Sequence, residues 1–130
     1  MISMYVDDSN MLSVYDHVQI YLWNTGIDMR KGFHGLEALV SQNGLDPFDG
    51  SLFVFFSKNR TRVKILTWTQ GGFAIYYKHL QKGRFPKLDF TQQHATLRSD
   101  QLRLLLDRVD FTQVKQSIIW EKKIKRSVDF

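Results

Sequence analysis

The spacing of apolar residues near the start of the chain predicts a short strand. Val18, Ile20 and Leu22 alternate with polar or aromatic side chains. This two-residue period is typical of a strand with one buried face, so residues 18–23 are the expected element. The sequence Asn-Thr-Gly at residues 24–26 is a turn signal, and the strand is expected to end there.

Three later stretches predict an antiparallel meander. Residues 52–56 are apolar almost throughout, as in a buried central strand. Residues 63–69 and 73–80 are rich in β-branched and aromatic side chains, which favour strands. The connectors at 58–61 and 70–72 are short enough for hairpins, so the three strands are expected to pair in sequence order.

A helical period separates the first strand from the meander. Asp28 is a suitable N-cap, because its carboxylate can accept hydrogen bonds from the free backbone N–H groups of a first turn. Gly44 suits the left-handed position just beyond the end of a helix. The apolar stripe between them consists of Phe33, Leu36, Leu39 and Val40.

A second helix is predicted for residues 99–109, with Ser99 as its cap. Its apolar stripe consists of Leu102, Leu105, Leu106 and Val109. Before this helix, residues 85–90 are a candidate edge segment of the sheet. A central place is excluded for them, because Pro86 lacks the N–H that a central strand donates.

These elements predict an α+β fold, with an antiparallel sheet of about four strands and two packed helices in the order β-α-β-β-β-α. The chain has 130 residues, which is room for one domain. We expect a polar N-terminal lead at residues 1–17, a single α+β domain at 18–110 and a basic C-terminal tail at 111–130.

Composition narrows the class of protein. The chain has no cysteine, which excludes disulfides and thiolate zinc sites. No stretch reaches the roughly 18–20 apolar residues of a membrane span. The first residues also lack the basic and apolar regions of a secretory signal. We therefore expect a cytoplasmic protein with no membrane partner.

Charge suggests a polyanionic partner. The net charge is +5, and residues 50–88 contain eight basic side chains and no acidic one. Such a distribution is typical of proteins that bind nucleic acid, and a solvated basic surface without a partner is the other interpretation. The candidate DNA-binding residues are Arg30, Lys31, Lys58, Arg60, Arg62, Lys64, Lys78, Lys82, Arg84 and Lys87.

The basic residues beside the 58–61 connector are the strongest of these candidates. A two-stranded ribbon with cations at its tip can lie along a groove or a phosphate backbone. Arg30 and Lys31 are expected in the first turn of the first helix. Positive charge is disfavoured there by the helix dipole, whereas the free N–H groups of a first turn bind anions.

Aromatic side chains interleave with these cations. Stacking on unpaired bases is one role for them, and packing in a hydrophobic core is the other. The core is favoured for Phe53 and Phe55, and Trp68 and Tyr76 suit either role.

A metal or catalytic site is not indicated. The four histidines show no metal-ligand spacing, and no phosphate loop, dinucleotide fingerprint or nucleophile elbow is present. A two-metal nuclease would need several carboxylates to converge. The candidates Asp28, Asp46 and Asp49 have simpler roles as cap and turn residues, and Asp89 is the fourth. We expect no catalytic residue, metal or cofactor.

Three stretches resemble one known family in their order and approximate spacing. They are residues 25–36 (TGIDMRKGFHGL), residues 46–55 (DPFDGSLFVF) with 62–68 (RVKILTW), and the motifs GF at 72–73, YKHL at 77–80 and GRF at 83–85. Over about residues 18–110 the chain resembles the accessory protein encoded by the second open reading frame of insertion sequence 66 family elements, often labelled TnpB.

This resemblance implies a small bacterial protein needed for efficient transposition. It also implies a separate, larger transposase from the same element, which carries the strand-cutting DDE site, and it supplies no catalytic residue for this chain. The chain departs from the family pattern at Ile27, where members often have Thr, and residues 111–130 match no part of it.

We therefore expect a non-catalytic accessory factor for transposition of an insertion sequence. It would bind DNA, in particular transposon ends, through the basic hairpin and assist the element's transposase. The alternative is a protein–protein adaptor that binds the transposase without touching DNA, with residues 118–120 as a docking arm. A metal-dependent nuclease that uses the four aspartates is a further alternative.

Overall fold

The computed structural model describes residues 18–108. The expected lead at 1–17, the tail at 111–130 and the predicted helix position Val109 lie outside these described residues. The elements, in chain order, are β1 (Ile20–Trp23), α1 (Phe33–Gln42), β2 (Leu52–Phe56), β3 (Arg62–Thr69), β4 (Gly72–His79), β5 (His94–Leu97) and α2 (Ser99–Leu106).

The five strands form one sheet in the order β4-β3-β2-β1-β5. The meander of β2, β3 and β4 is antiparallel, as predicted, and β5 pairs antiparallel with β1. The β1–β2 pair is parallel, because α1 carries the chain back across the sheet between them. The α+β class is confirmed, with one strand more than the predicted four and one parallel pair.

The sheet has a helix on each face, so the core is built in two halves. Side chains alternate between the faces along each strand. On one face, Leu36 and Val40 of α1 pack with Phe53 and Phe55 of β2. On the other face α2 covers the sheet. The buried residues there are Ile20, Leu22, Leu52, Val54, Phe56, Val63, Ile65, Phe85, Leu88, Leu102, Leu105 and Leu106.

The predicted edge segment at residues 85–90 is wrong. This stretch forms no strand, and Phe85 and Leu88 are instead buried in the α2 half of the core. The fifth strand is His94–Leu97, which lies beside β1. This strand has only four residues, and they do not alternate clearly between apolar and polar side chains, so no two-residue period is visible in the sequence.

In both helices the N-cap is a different residue from the predicted one. The first helix starts at Phe33, with Gly32 as its N-cap, so Arg30 and Lys31 precede the helix rather than occupy its first turn. The second helix starts at Ser99 itself, with Arg98 as the N-cap. The predicted end of α1 is confirmed, since Gly44 has a φ of +78° just beyond the C-cap.

Candidate nucleic-acid interface

The strand order brings three separate loops to one end of the sheet. Because β1 and β2 are parallel, both finish at the end where β3 begins and β4 finishes, and β5 starts there as well. The loops at this end span residues 24–32, 57–61 and 80–93. They are separated in sequence but neighbours in space.

Backbone contacts hold the three loops together. The N–H of Ile27 donates to the carbonyl of Phe56 at 2.9 Å. On the other side, Leu80 N–H donates to the carbonyl of Thr61 at 2.8 Å, and Phe85 N–H donates to the carbonyl of Arg60 at 2.7 Å. The end of the sheet is therefore one continuous surface.

Gly26 shows how closely the first loop approaches the β2–β3 turn. A Cβ at this residue would lie 2.5 Å from Cα and 2.8 Å from N of Lys58. Backbone atoms cannot give way as a flexible side chain does. Only glycine therefore permits this contact between the two loops.

Six of the predicted cations are exposed in these loops. We call this set the basic end: Arg30, Lys31, Lys58, Lys82, Arg84 and Lys87. Long, solvated cationic side chains of this kind are suited to contacts with phosphate groups.

Arg60 has an internal role instead. Its guanidinium donates to the carbonyl of Phe85 at 3.0 Å and to that of Pro86, and it lies 4.8 Å from the ring centre of Phe56. Burial lowers the pKa of Arg60, although an arginine stays protonated at neutral pH. These contacts fasten the 80–93 loop to the β2–β3 turn.

Lys64 has a similar fastening role on the face covered by α1. Its Nζ donates to the carbonyls of Met29 and Lys31, each at 2.8 Å. The same ammonium lies 5.4 Å from the ring centre of Tyr77. Lys64 thus anchors the loop that leads into α1.

Arg62 lines an open cleft of about 320 Å³ between the first loop and the β2–β3 turn. Its Nε is buried and has no hydrogen-bond partner among the described residues. An unpaired buried donor is uncommon and costly in a folded protein. The Nε atom is shielded from solvent, so Arg62 contributes its positive charge to the cleft rather than this donor. The lining consists of Ile27, Asp28, Met29, Ser57, Lys58, Asn59 and Arg62.

Arg30 is exposed but already paired with an acid. Its Nη2 lies 2.6 Å from Oδ2 of Asp28, and the backbone N–H of Arg30 donates to Asp28 Oδ1 at 2.9 Å. These hydrogen bonds from Arg30 hold the pKa of Asp28 well below its usual range. Asp28 is therefore ionised at neutral pH and offsets part of the positive charge beside the cleft.

Lys78 lies on the other face of the sheet from Lys64. It pairs in register with Val63, which faces α2.

Arg108 reaches the basic end although it was not among the predicted residues. Its Nη1 donates to the carbonyl of Lys82 at 2.8 Å. Only the packing of α2 across the sheet brings Arg108 to the basic end, and no sequence pattern signals it.

The four aspartates of the nuclease alternative do not converge on one site. Asp46 and Asp49 accept backbone N–H groups in their own turn, before β2, at the end of the sheet opposite Asp28. Within residues 18–108, no three His, Asp or Glu side chains are grouped so that they can hold a metal ion. None of the helices in that range is long and apolar enough to cross a membrane.

Comparison with known proteins assigns the family. The model of the family described as IS66 Orf2-like protein matches residues 18–116. The chain belongs to the IS66 Orf2-like family. The resemblance read from the three sequence stretches is thereby confirmed, and the protein's role is an accessory one in the transposition of an insertion sequence. The match extends through residues 111–116, which were expected to match no part of the family.

Two relatives from Sinorhizobium fredii are consistent with this membership. The protein y4jC is 32% identical over 101 residues, which cover 77% of this chain and 82% of the relative. The protein y4hO is 29% identical over 109 residues, covering 82% and 94%. Both are described as uncharacterized. No solved structure matches the chain significantly.

Proposed function

We propose that this IS66 Orf2-like protein binds DNA through the basic end and thereby assists the transposase of its element at the transposon ends. The observation that carries the proposal is the convergence of cations from three loops on one surface. Residues that are distant in sequence supply these charges, and tight backbone contacts between the loops hold them in place.

The side chains divide into two groups under this proposal. Lys58, Lys82 and Arg84 are exposed and supply contacts to the phosphate backbone. Arg60 and Lys64 use their donors on backbone carbonyls, so they support the surface from within. Binding of this kind positions a protein on DNA and carries little sequence information by itself.

The cleft beside Arg62 is a concave part of this surface. A phosphate group there would be close to the positive charges of both Arg62 and Lys58. An arginine contact of this kind fixes the register of the protein on a strand more tightly than a mobile lysine does.

Fluorescence polarisation with a labelled duplex across a salt series tests the proposal. Each phosphate contact contributes about 0.9 to the slope of log affinity against log salt. Lys58→Gln and Arg84→Gln are each expected to weaken binding and to lower that slope by about 0.9. Comparison of an element-end duplex with a scrambled one measures sequence preference.

Arg103→Gln is the matched control, because it removes one exposed positive charge from α2 rather than from the basic end. It is expected to leave the slope unchanged. Equal losses from all three variants would mean that only net charge matters, which contradicts a defined site. Absence of duplex binding by the wild type at low salt would overturn the proposal and favour the adaptor that binds the transposase alone.

A further inference from the structure

A cluster of exposed and half-buried aromatic side chains lies on the α1 face of β3 and β4. We call it the aromatic face: Phe33, Phe48, Trp68, Phe73 and Tyr77. Phe33, Phe48 and Tyr77 are 47%, 48% and 47% exposed, and they are the exposed large hydrophobic residues of the described chain. Hydrophobic rings left in water at this density are typical of a binding surface.

Four of these rings, all except that of Tyr77, contact one another and so form a fixed platform. Phe73 of β4 is central, with its ring centre 4.9 Å from that of Trp68 and 5.2 Å from that of Phe48. Phe33 stacks on Phe73 with an angle of 22° between the rings. Their orientation is set before any partner arrives, which lowers the entropy cost of binding.

The aromatic face is continuous with the basic end. Phe73, Ile75 and Tyr77 follow one another on the same side of β4 towards the end where the cations lie. Tyr77 is opposite Lys64 in the register, and the next pair on that side is Arg62 with His79. At about 3.3 Å per residue, Phe73 and Tyr77 are roughly 13 Å apart along the strand.

Cations beside exposed rings on an open sheet favour one class of partner. Every unpaired base has a π-face that stacks on an aromatic side chain, and its phosphate meets the neighbouring positive charge. A base inside a duplex has no free face to offer. An apolar protein segment would use the rings but not the positive charge of the adjoining basic end.

We propose that the aromatic face binds unpaired nucleotides of a DNA strand whose duplex portion lies on the basic end. This inference rests on the proposed function and deepens it, because it assigns the protein to DNA with a single-stranded stretch. Tyr77 stands between the two surfaces and would stack the first unpaired base. Phe33 would stack a base further along the strand.

The test compares a blunt duplex with the same duplex carrying a tail of several unpaired thymidines. The wild type is expected to bind the tailed DNA about a hundredfold more tightly, since each of the two stacked bases contributes about tenfold. Phe33→Leu/Tyr77→Leu is expected to lose this preference and to bind the blunt duplex as the wild type does. Tyr77→Phe keeps the ring and is expected to keep the preference.

The outcomes separate this inference from the proposed function. Equal binding of tailed and blunt DNA by the wild type would overturn the inference while leaving duplex binding intact. An unchanged tail preference in Phe33→Leu/Tyr77→Leu would also overturn it. If this variant kept the tail preference but no longer associated with the transposase, the inference would be overturned and the aromatic face would be a protein-docking site. Failure of the wild type to bind either DNA would overturn the proposed function and this inference together.

Discussion

Asp28 is the acidic side chain in the lining of the cleft beside Arg62. Its carboxylate is held ionised by the guanidinium and backbone N–H of Arg30. An ionised carboxylate repels phosphate groups and also occupies a guanidinium that would otherwise face the DNA. Asp28 therefore limits the affinity of the basic end under the proposed function.

Asp28→Asn is expected to raise affinity for duplex DNA about two- to fivefold at low salt, the range typical of exposed charge interactions. The asparagine oxygen can still accept the N–H of Arg30, so the loop keeps its shape. Fluorescence polarisation measures the change. Asp46→Asn is the matched control, because Asp46 accepts a backbone N–H two residues ahead in the same way, at the opposite end of the sheet. An equal gain from Asp46→Asn would contradict a local effect.

The sequence shows which residues near the hairpin are basic, but it does not predict which of them face solvent and which bind backbone carbonyls. Lys58, Arg60 and Lys64 occur within seven residues and look equivalent in the sequence. Lys58 is exposed, whereas Arg60 and Lys64 reach carbonyls that lie more than twenty residues away. A contact between residues so far apart in the sequence depends on the tertiary structure, and no local sequence pattern predicts it.

At the scale of elements, the 80–93 loop depends on its attachment to the β2–β3 turn. Arg60 supplies that attachment with its guanidinium bonds to Phe85 and Pro86 and with its backbone carbonyl. Phe85 is held in the core at the same point. The position of Lys82 and Arg84 therefore depends on Arg60, although Arg60 itself faces inward.

Arg60→Ala is expected to lower the free energy of unfolding by about 2–3 kcal/mol, because charge-assisted hydrogen bonds are lost and two carbonyls lose their partner. Arg84→Ala removes an exposed cation and is expected to change stability by less than about 0.5 kcal/mol. Urea denaturation followed by circular dichroism compares the two. A loss as small for Arg60→Ala as for Arg84→Ala would show that the attachment does not stabilise the fold.

Elements with a strong period could be predicted from the sequence, and those held by distant pairing could not. The strands of the meander and the stripe of α1 were predicted because their apolar residues repeat locally. The β5 strand exists because it pairs with β1, whose residues are about seventy positions earlier. The failed cap at Asp28 has a similar cause, since the loop to α1 is shaped by Lys64 from another strand.

For the whole molecule, the sheet separates two half-cores that contact its opposite faces. Leu36 of α1 is fully buried in one half and Ile65 of β3 in the other. Side chains on opposite faces of a sheet share no direct packing contact. Substitutions in the two halves are thus expected to act independently on one folding transition.

Leu36→Ala is expected to cost about 2–5 kcal/mol and Ile65→Val about 0.5–1.5 kcal/mol, the usual costs of removing buried methyl groups. The double variant is expected to lose the sum to within about 0.5 kcal/mol. Denaturant unfolding of all four proteins measures the coupling. A coupling energy well above that value would mean that the sheet transmits packing strain between its faces.

The parallel β1–β2 pair also has an evolutionary consequence. It gathers the 24–32, 57–61 and 80–93 loops at one end, while most of the core lies within the strands and helices and the loops add Ile27, Met29, Phe85 and Leu88. Most substitutions in the exposed parts of those loops leave the core unchanged, with Gly26 and Arg60 as exceptions. Under the proposed function, related proteins can therefore differ in the surface that they present to DNA and keep the same fold.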